Sequence, residues 1–229
     1  MIHPSAEVSG EAHIGEGTRI WNDAQVRDKA RIGRNCNIGK GVYIDVGVEI
    51  GDNVKIQNGC TLGRGSRLES GVFLGPDVVL TNDRFPRSIN RDGTVKKEGD
   101  WEVGQVRVGY GASLATRVIV MPNVMIGRFA MVGVGSVVTK NVFHHAFVLG
   151  YPARQLGYVC YCGRRLEGCE PADGGVEGLC RHCQQTLRIP HPVPGALDFS
   201  RESASCPEAS SRPFAPCNLA AATTLGRIP

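Results

Sequence analysis

The chain has 229 residues, 41% of them hydrophobic, and a formal charge of +4, enough for one moderate domain with a core plus an appendage. The charge is mild and not gathered into blocks, which argues against a nucleic-acid partner, and no apolar run approaches the ~18 residues of a membrane span. The opening MIHPSAEV runs directly into a repeat rather than a signal peptide, so a cytoplasmic protein with no membrane association is expected.

From the N-terminus, aliphatic residues recur every six positions without exception: Ile2, Val8, Ile14, Ile20, Val26, Ile32, Ile38, Ile44, Ile50, Ile56, Leu62, Leu68, Leu74 and Leu80. Four residues after each of the first thirteen stands a small or β-branched residue, among them Ala12, Thr18, Ala30, Cys36, Val54, Cys60 and Val78. Neither a helical nor a two-residue period produces this spacing. It predicts short flat strands separated by corners, stacked at about 4.8 Å so that each coil covers the apolar face of its neighbour.

The repeat breaks after Leu80 and resumes in a different phase at Val108, continuing through Leu114, Val120, Ile126, Val132 and Val138. The intervening segment is polar and charged, and predicts a loop over 81–107 that leaves one corner of the coil. Long loops on compact scaffolds commonly carry function.

With its repeat, the segment MIGRFAMVGVGSVVTKNV and the closing GYPARQLG, the stretch 1–158 resembles the left-handed β-helix, hexapeptide-repeat acyltransferases. The resemblance implies triangular coils of three hexapeptides and a homotrimer with active sites between subunits. The loop sequence TNDRFPRS looks like that of enzymes acetylating the 3-amino group of nucleotide-linked sugars, of UDP or dTDP type. Acetyl-CoA is then the implied co-substrate and a nucleotide-linked amino sugar the acceptor.

An alcohol acceptor is weakly acidic and usually needs a base, whereas a sugar amine is nucleophilic once neutral. Here the sequence has no histidine between His13 and His144. The resemblance assigns Asn82 to hold the amine, Asp83 could hold or deprotonate the ammonium, and Arg84 and Arg87 suit a diphosphate or sugar carboxylate. The bland alternatives are a turn at Asn82 and Asp83, and salt bridges that pin the loop at the arginines. Trp101 could pack the loop base or stack on a nucleobase. For coenzyme A the resemblance implies Thr116 near pantetheine, the Val134 backbone, Thr139 near adenine, and Lys140 and Arg154 toward phosphate. The chain departs from the family at GVG and at NVFHH. Two other readings stay open: O-acylation using His144 or His145, and a non-catalytic assembly scaffold.

Of nine cysteines, seven follow residue 159, which argues for a separate module rather than a secreted disulfide framework. Cys160 and Cys162, then Cys180 and Cys183, have spacing compatible with a small zinc ribbon over 159–189, with free cysteines as the alternative. Residues 190–229 are rich in Pro, Ser and Ala without apolar periodicity, so disorder is expected there.

Overall fold

A computed structural model describes residues 1–190; most of the tail expected to be disordered, 191–229, lies outside the described residues. From Glu7 to Val138 the hexapeptides form strands of two or three residues, such as Arg31–Ile32 or Thr61–Leu62, followed by turns. So short a strand is held by stacking. Residue i pairs in parallel with i+18, as in Glu7↔Gln25, Gln25↔Tyr43 and Tyr43↔Thr61. Three hexapeptides therefore make one coil, and the strands gather into sheets of seven, six and eight members. These are the first, second and third faces, in the order the chain visits them. The molecule is an all-β parallel helix of stacked short strands, as the repeat predicts, and it is three-sided, as the resemblance implies.

The inward aliphatic residues form the core. Ile20, Ile32, Ile38, Ile44, Ile56, Leu62, Leu74, Leu80, Leu114 and Ile126 are fully buried, each contributing about 1.5–3 kcal/mol. At the start of the stack, Ile2 remains 47% exposed. Turns bring Asp23, Asn35, Asn53, Asp77 and Asn123 to φ between 55° and 62°, a region these two residue types tolerate best after glycine. Cys36 and Cys60 fill small inward positions; burial pushes both thiols up, that of Cys60 to about 11. They are packing residues, not nucleophiles.

Across the interruption the pairing step grows from 18 to 40 residues, as in Ser66↔Val106, Leu74↔Leu114 and Leu80↔Val120, so the loop inserts the difference, 22 residues. The second face resumes with the strand Val106–Val108. The loop thus ends at residue 105, not 107: Val106 is a buried small-position residue, opposite Ser66, with no preceding aliphatic partner from which the repeat could be counted.

At the other end the last coil is shortened, with Ile126↔Val142 and Met131↔Phe147 only 16 residues apart. The strand Ala146–Gly150 then turns through Tyr151-Pro152, a cis peptide bond, into the antiparallel strand Ala153–Tyr158. The GYPARQLG segment is therefore a hairpin that covers the edge of the third face, not another coil. Beyond it, Glu167–Ala172, Gly175–Cys180 and Gln185–Pro190 form a separate three-stranded antiparallel sheet. Pro190, assigned to the tail on composition, ends its last strand.

Candidate functional site

The loop leaves the corner between the first and second faces and returns beside its own origin. Gly104 N–H donates to the Asn82 carbonyl at 2.7 Å, and Asn123 of the next coil receives Gln105 N–H at 3.0 Å on its side-chain oxygen. Inside the loop, Ile89 and Val95 form an antiparallel bridge. A 3-10 turn, Glu98–Asp100, is tied to Arg64 of the coil below through Glu98 at 2.6 Å, and to Asn90 through Asp100 at 3.0 Å. The Asn90 amide and the Lys97 N–H hold the Asp100 carboxyl below its usual range.

Under this loop lies a groove of about 350 Å³ lined by Asp83, Arg84, Phe85, Lys96, Asp100, Trp101, Glu102, Val103, Gly104 and Asn123. Its walls mix cations, carboxylates and two aromatic rings. Phe85 is 77% exposed, with the Arg84 guanidinium 6.0 Å from its ring centre. Sequence reasoning passed over Phe85 and Lys96; an aromatic residue set between charges in a polar loop, with no repeat position to fill, was the available signal.

Asp83 and Arg84 thus share the groove with Trp101, while Asn82 and Arg87 do not line it. Asp83 Oδ1 accepts Phe85 N–H at 2.8 Å, an Asx turn that presents Arg84 and Phe85. The half-buried Asn82 carboxamide lies over Gly63, its Cγ 3.1 Å from where a Cβ at that position would stand. Among the described residues it makes no hydrogen bond, and Arg84 and Arg87 enter no ion pair. The loop is pinned instead by Arg64 and Asn90.

The residues expected to face coenzyme A divide between two corners. Register carries Thr81 to Met121 and Thr139, and Asn82 to Pro122 and Lys140, so Thr139 and Lys140 rise above Asn82 at the loop corner. Two strand spacings, about 10 Å, separate Asn82 from Lys140. Thr116 and Val134 lie at the corner between the third and first faces, where the Thr116 carbonyl accepts Gly135 N–H at 2.9 Å and Val134 is 64% exposed. Arg154 is exposed on the hairpin strand next to that corner, opposite Leu149. Between the two corners, the outer surface of the first face carries Val79, Ile119 and Val137 in register, whereas the second face carries Arg31, Glu49, Arg67 and Arg107.

Neither late histidine stands at the loop. His144 Nδ1 accepts the Arg128 N–H at 2.7 Å at the corner between the second and third faces. His145 is buried, stacked on Phe129 with centroids 5.2 Å apart, and its Nδ1–H donates to the Val159 carbonyl at 2.9 Å. Burial pushes its imidazole below the ordinary value.

Cys160, Cys162, Cys180 and Cys183 come together, their sulfurs all within 4.8 Å of one another. The Cys160–Cys183 and Cys162–Cys180 pairs are 4.0 and 3.7 Å apart. A disulfide needs about 2.05 Å. Four thiolates at about 2.3 Å around a tetrahedral zinc would stand about 3.8 Å apart, and the two pairs at 4.0 and 3.7 Å are close to that spacing. Cys169 is outside the cluster.

No helix of the described residues is long and apolar enough to cross a membrane. Residues 1–45 match the model described as bacterial transferase hexapeptide (six repeats), and residues 29–64 match the hexapeptide repeat of succinyl-transferase. A dTDP-3-amino-3,6-dideoxy-alpha-D-galactopyranose 3-N-acetyltransferase from Aneurinibacillus thermoaerophilus is 42% identical over 64 residues, which are 28% of this chain and 33% of that enzyme. Serine acetyltransferase 4 from Arabidopsis thaliana is 39% identical over 71 residues, 31% of this chain and 19% of that one. The match therefore spans a third or less of either relative. Among solved structures, PerB from Caulobacter crescentus in complex with CoA and GDP-perosamine is 26% identical, with a TM-score of 0.42, covering 68% of this chain and 56% of that one. Residues 1–64 thus match hexapeptide-repeat transferase models, and the same coil continues in the structure to Val148.

Proposed function

We propose that the chain is an acetyl-CoA-dependent N-acetyltransferase acting on the amino group, at the 3-position, of a nucleotide-linked amino sugar. The observation that carries this reading is the groove under the loop: it offers Arg84 and Lys96 for phosphate oxygens and the Phe85 and Trp101 rings for a base, and no histidine lines it. The 42% identical relative, by its name, acetylates such an amine. In this reaction the neutral amine attacks the thioester carbonyl and forms the C–N bond. The tetrahedral oxyanion then collapses, the C–S bond breaks, and the proton released by the amine passes to the departing thiolate. Asn82, whose carboxamide is unengaged, holds the amine; Asp83 orients Arg84 and Phe85 through its turn and helps hold the ammonium before it loses its proton.

We infer that the working unit is a homotrimer. The acceptor groove and Asn82 lie at one corner, while Thr116 and Val134 lie at another across an apolar face, so one copy alone does not join them. A second copy that brings its Thr116 corner against this copy's loop corner completes the site, and repeating that contact closes a ring. The four clustered cysteines are in this reading the ligands of a structural zinc, remote from acyl transfer.

Purified protein given acetyl-CoA and a panel of UDP- and dTDP-linked 3-amino sugars should release free thiol. Asn82→Ala should lower kcat about 100-fold, on the scale of one lost positioning group, while Phe85→Ala should chiefly raise the KM for the sugar nucleotide. Silence across both nucleotides would sink the proposal. Thiol release with hydroxyl acceptors, abolished in His144→Ala, would replace it with O-acylation.

A further inference from the structure

We infer that the metal at the four thiols fastens the open end of the β-helix, so that the last coil and the cysteine module hold their structure as one unit; this rests on the zinc reading above. Tyr161 lies between Cys160 and Cys162 in the chain, so fixing both sulfurs fixes the backbone on either side of its ring. That ring meets Phe129 and His145 edge-on, with both centroids at 4.7 Å and the planes nearly perpendicular. Phe129 and His145 have φ of 54° and 57°, in the left-handed region that costs a residue with a Cβ some energy. His145 and Val159 exchange two hydrogen bonds: Val159 N–H donates to the His145 carbonyl at 2.7 Å, and His145 Nδ1–H donates to the Val159 carbonyl at 2.9 Å. Arg165, three residues past Cys162, lies over the Phe147 ring at 5.1 Å.

Neither partner can supply this order alone. Among the described residues the last coil has another coil on one side only, and it is the shortened one. The module's buried core consists of Leu166 and Ile189 with Cys160 and Cys180, too little for a piece of this size without a staple. The clamp also has a functional reach, since Thr139, Lys140 and Arg154 lie on the last coil or the hairpin that closes it.

The test uses the full chain, zinc-loaded or stripped with chelator under reducing conditions, with metal counted by mass spectrometry and amide hydrogen exchange followed by peptide. One zinc per chain is expected. Stripping should speed exchange at least tenfold across Val142–Tyr158 and leave Ile14–Leu62 unchanged. Tyr161→Ala should keep its zinc and still show the faster exchange in Ala146–Gly150. Failure to take up zinc, even on anaerobic reconstitution, overturns the zinc reading and the clamp with it. One zinc per chain with identical exchange in both forms overturns the clamp alone. Should the stripped protein precipitate, zinc-loaded Tyr161→Ala decides, and unchanged exchange there overturns the clamp.

Discussion

In the coil stack, residues such as Ile38, Ile56 and Leu74 are fully buried, and each is covered by equivalent residues one coil above and below. In the module between Val159 and Pro190, two of the four buried core residues are cysteines and the strands pair antiparallel within a single small sheet. The stack gains stability from repetition, because every added coil buries both its own apolar face and its neighbour's. The module has no neighbour of its own kind and relies on its thiols and on the aromatic contact to the last coil. Damage to the two regions should therefore differ in size and in kind.

The largest effect is expected inside the stack. Leu74→Ala leaves a cavity in mid-helix, between Ile56 and Leu114, where the flat strands above and below cannot close in. A loss of about 2–5 kcal/mol is expected, read from the shift in urea midpoint. A loss under 1 kcal/mol would mean that the coils relax independently, and the contrast with the module would weaken.

At the junction of the two regions, Gly111 lets Phe129 lie flat beneath His145: a Cβ there would stand 2.6 Å from the Phe129 ring, at a φ of +66°. Gly111→Ala should cost about 1–3 kcal/mol through overpacking and strain. Gly41→Ala is the control, since φ is +63° but nothing lies within 4 Å. Its smaller loss isolates the backbone share. Equal losses at the two sites would remove the aromatic stack from the explanation.

Acid should act at the same junction, more mildly. The buried His145 has a lowered folded-state pKa, while the unfolded chain titrates near the ordinary 6.5. Above 6.5 the neutral ring's contribution is fully present; as the pH falls below 6.5 toward the depressed value it is lost. The neighbouring His144, which adds its own positive charge, works in the same direction. Protection against hydrogen exchange, taken relative to the pH-dependent intrinsic rate, should therefore fall in Ala146–Gly150 between pH 7.5 and 5.5 while that of Ile14–Leu62 stays constant. His145→Asn, which tolerates the positive φ, should flatten the part of that response that belongs to the imidazole. A variant with the wild-type pH response would move the acid sensitivity to the thiolates.

The stack was legible in the sequence because one requirement, an inward aliphatic every sixth residue, recurs at fixed spacing and overrides local propensity. Even the place of the loop followed from the phase break. Its end was misplaced by two residues because Val106 obeys the repeat without an aliphatic partner to announce it. The cysteine quartet could be read from spacing, but not the ring of Tyr161 between the first pair, whose partners Phe129 and His145 are distant in sequence. The candidate site was legible as a loop and not as a surface. TNDRFPRS pointed to Asn82 through Arg87, yet the groove draws Lys96, Trp101 and Asn123 from the far end of the loop and the next coil. The division of the residues expected to face coenzyme A between two corners became visible only once 18-residue coils assigned every position to a face.

The smallest effect tests whether the loop shares the firmness of the stack or the dependence of the module. Arg64 and Glu98 form its most direct tie to the coil below, at 2.6 Å, but Glu98 is 79% exposed and Arg64 42%. Water and salt screen such a pair, so Glu98→Gln should cost only about 0.2–1 kcal/mol of global stability. The same change frees one end of the 3-10 turn while leaving the Asn90–Asp100 bond in place. If the groove depends on that turn, the KM for the sugar nucleotide should rise a few fold with the melting temperature almost unchanged. A KM that does not move would place the firmness of the groove in Asn90, Gly104 and Asn123, making the loop an extension of the coil.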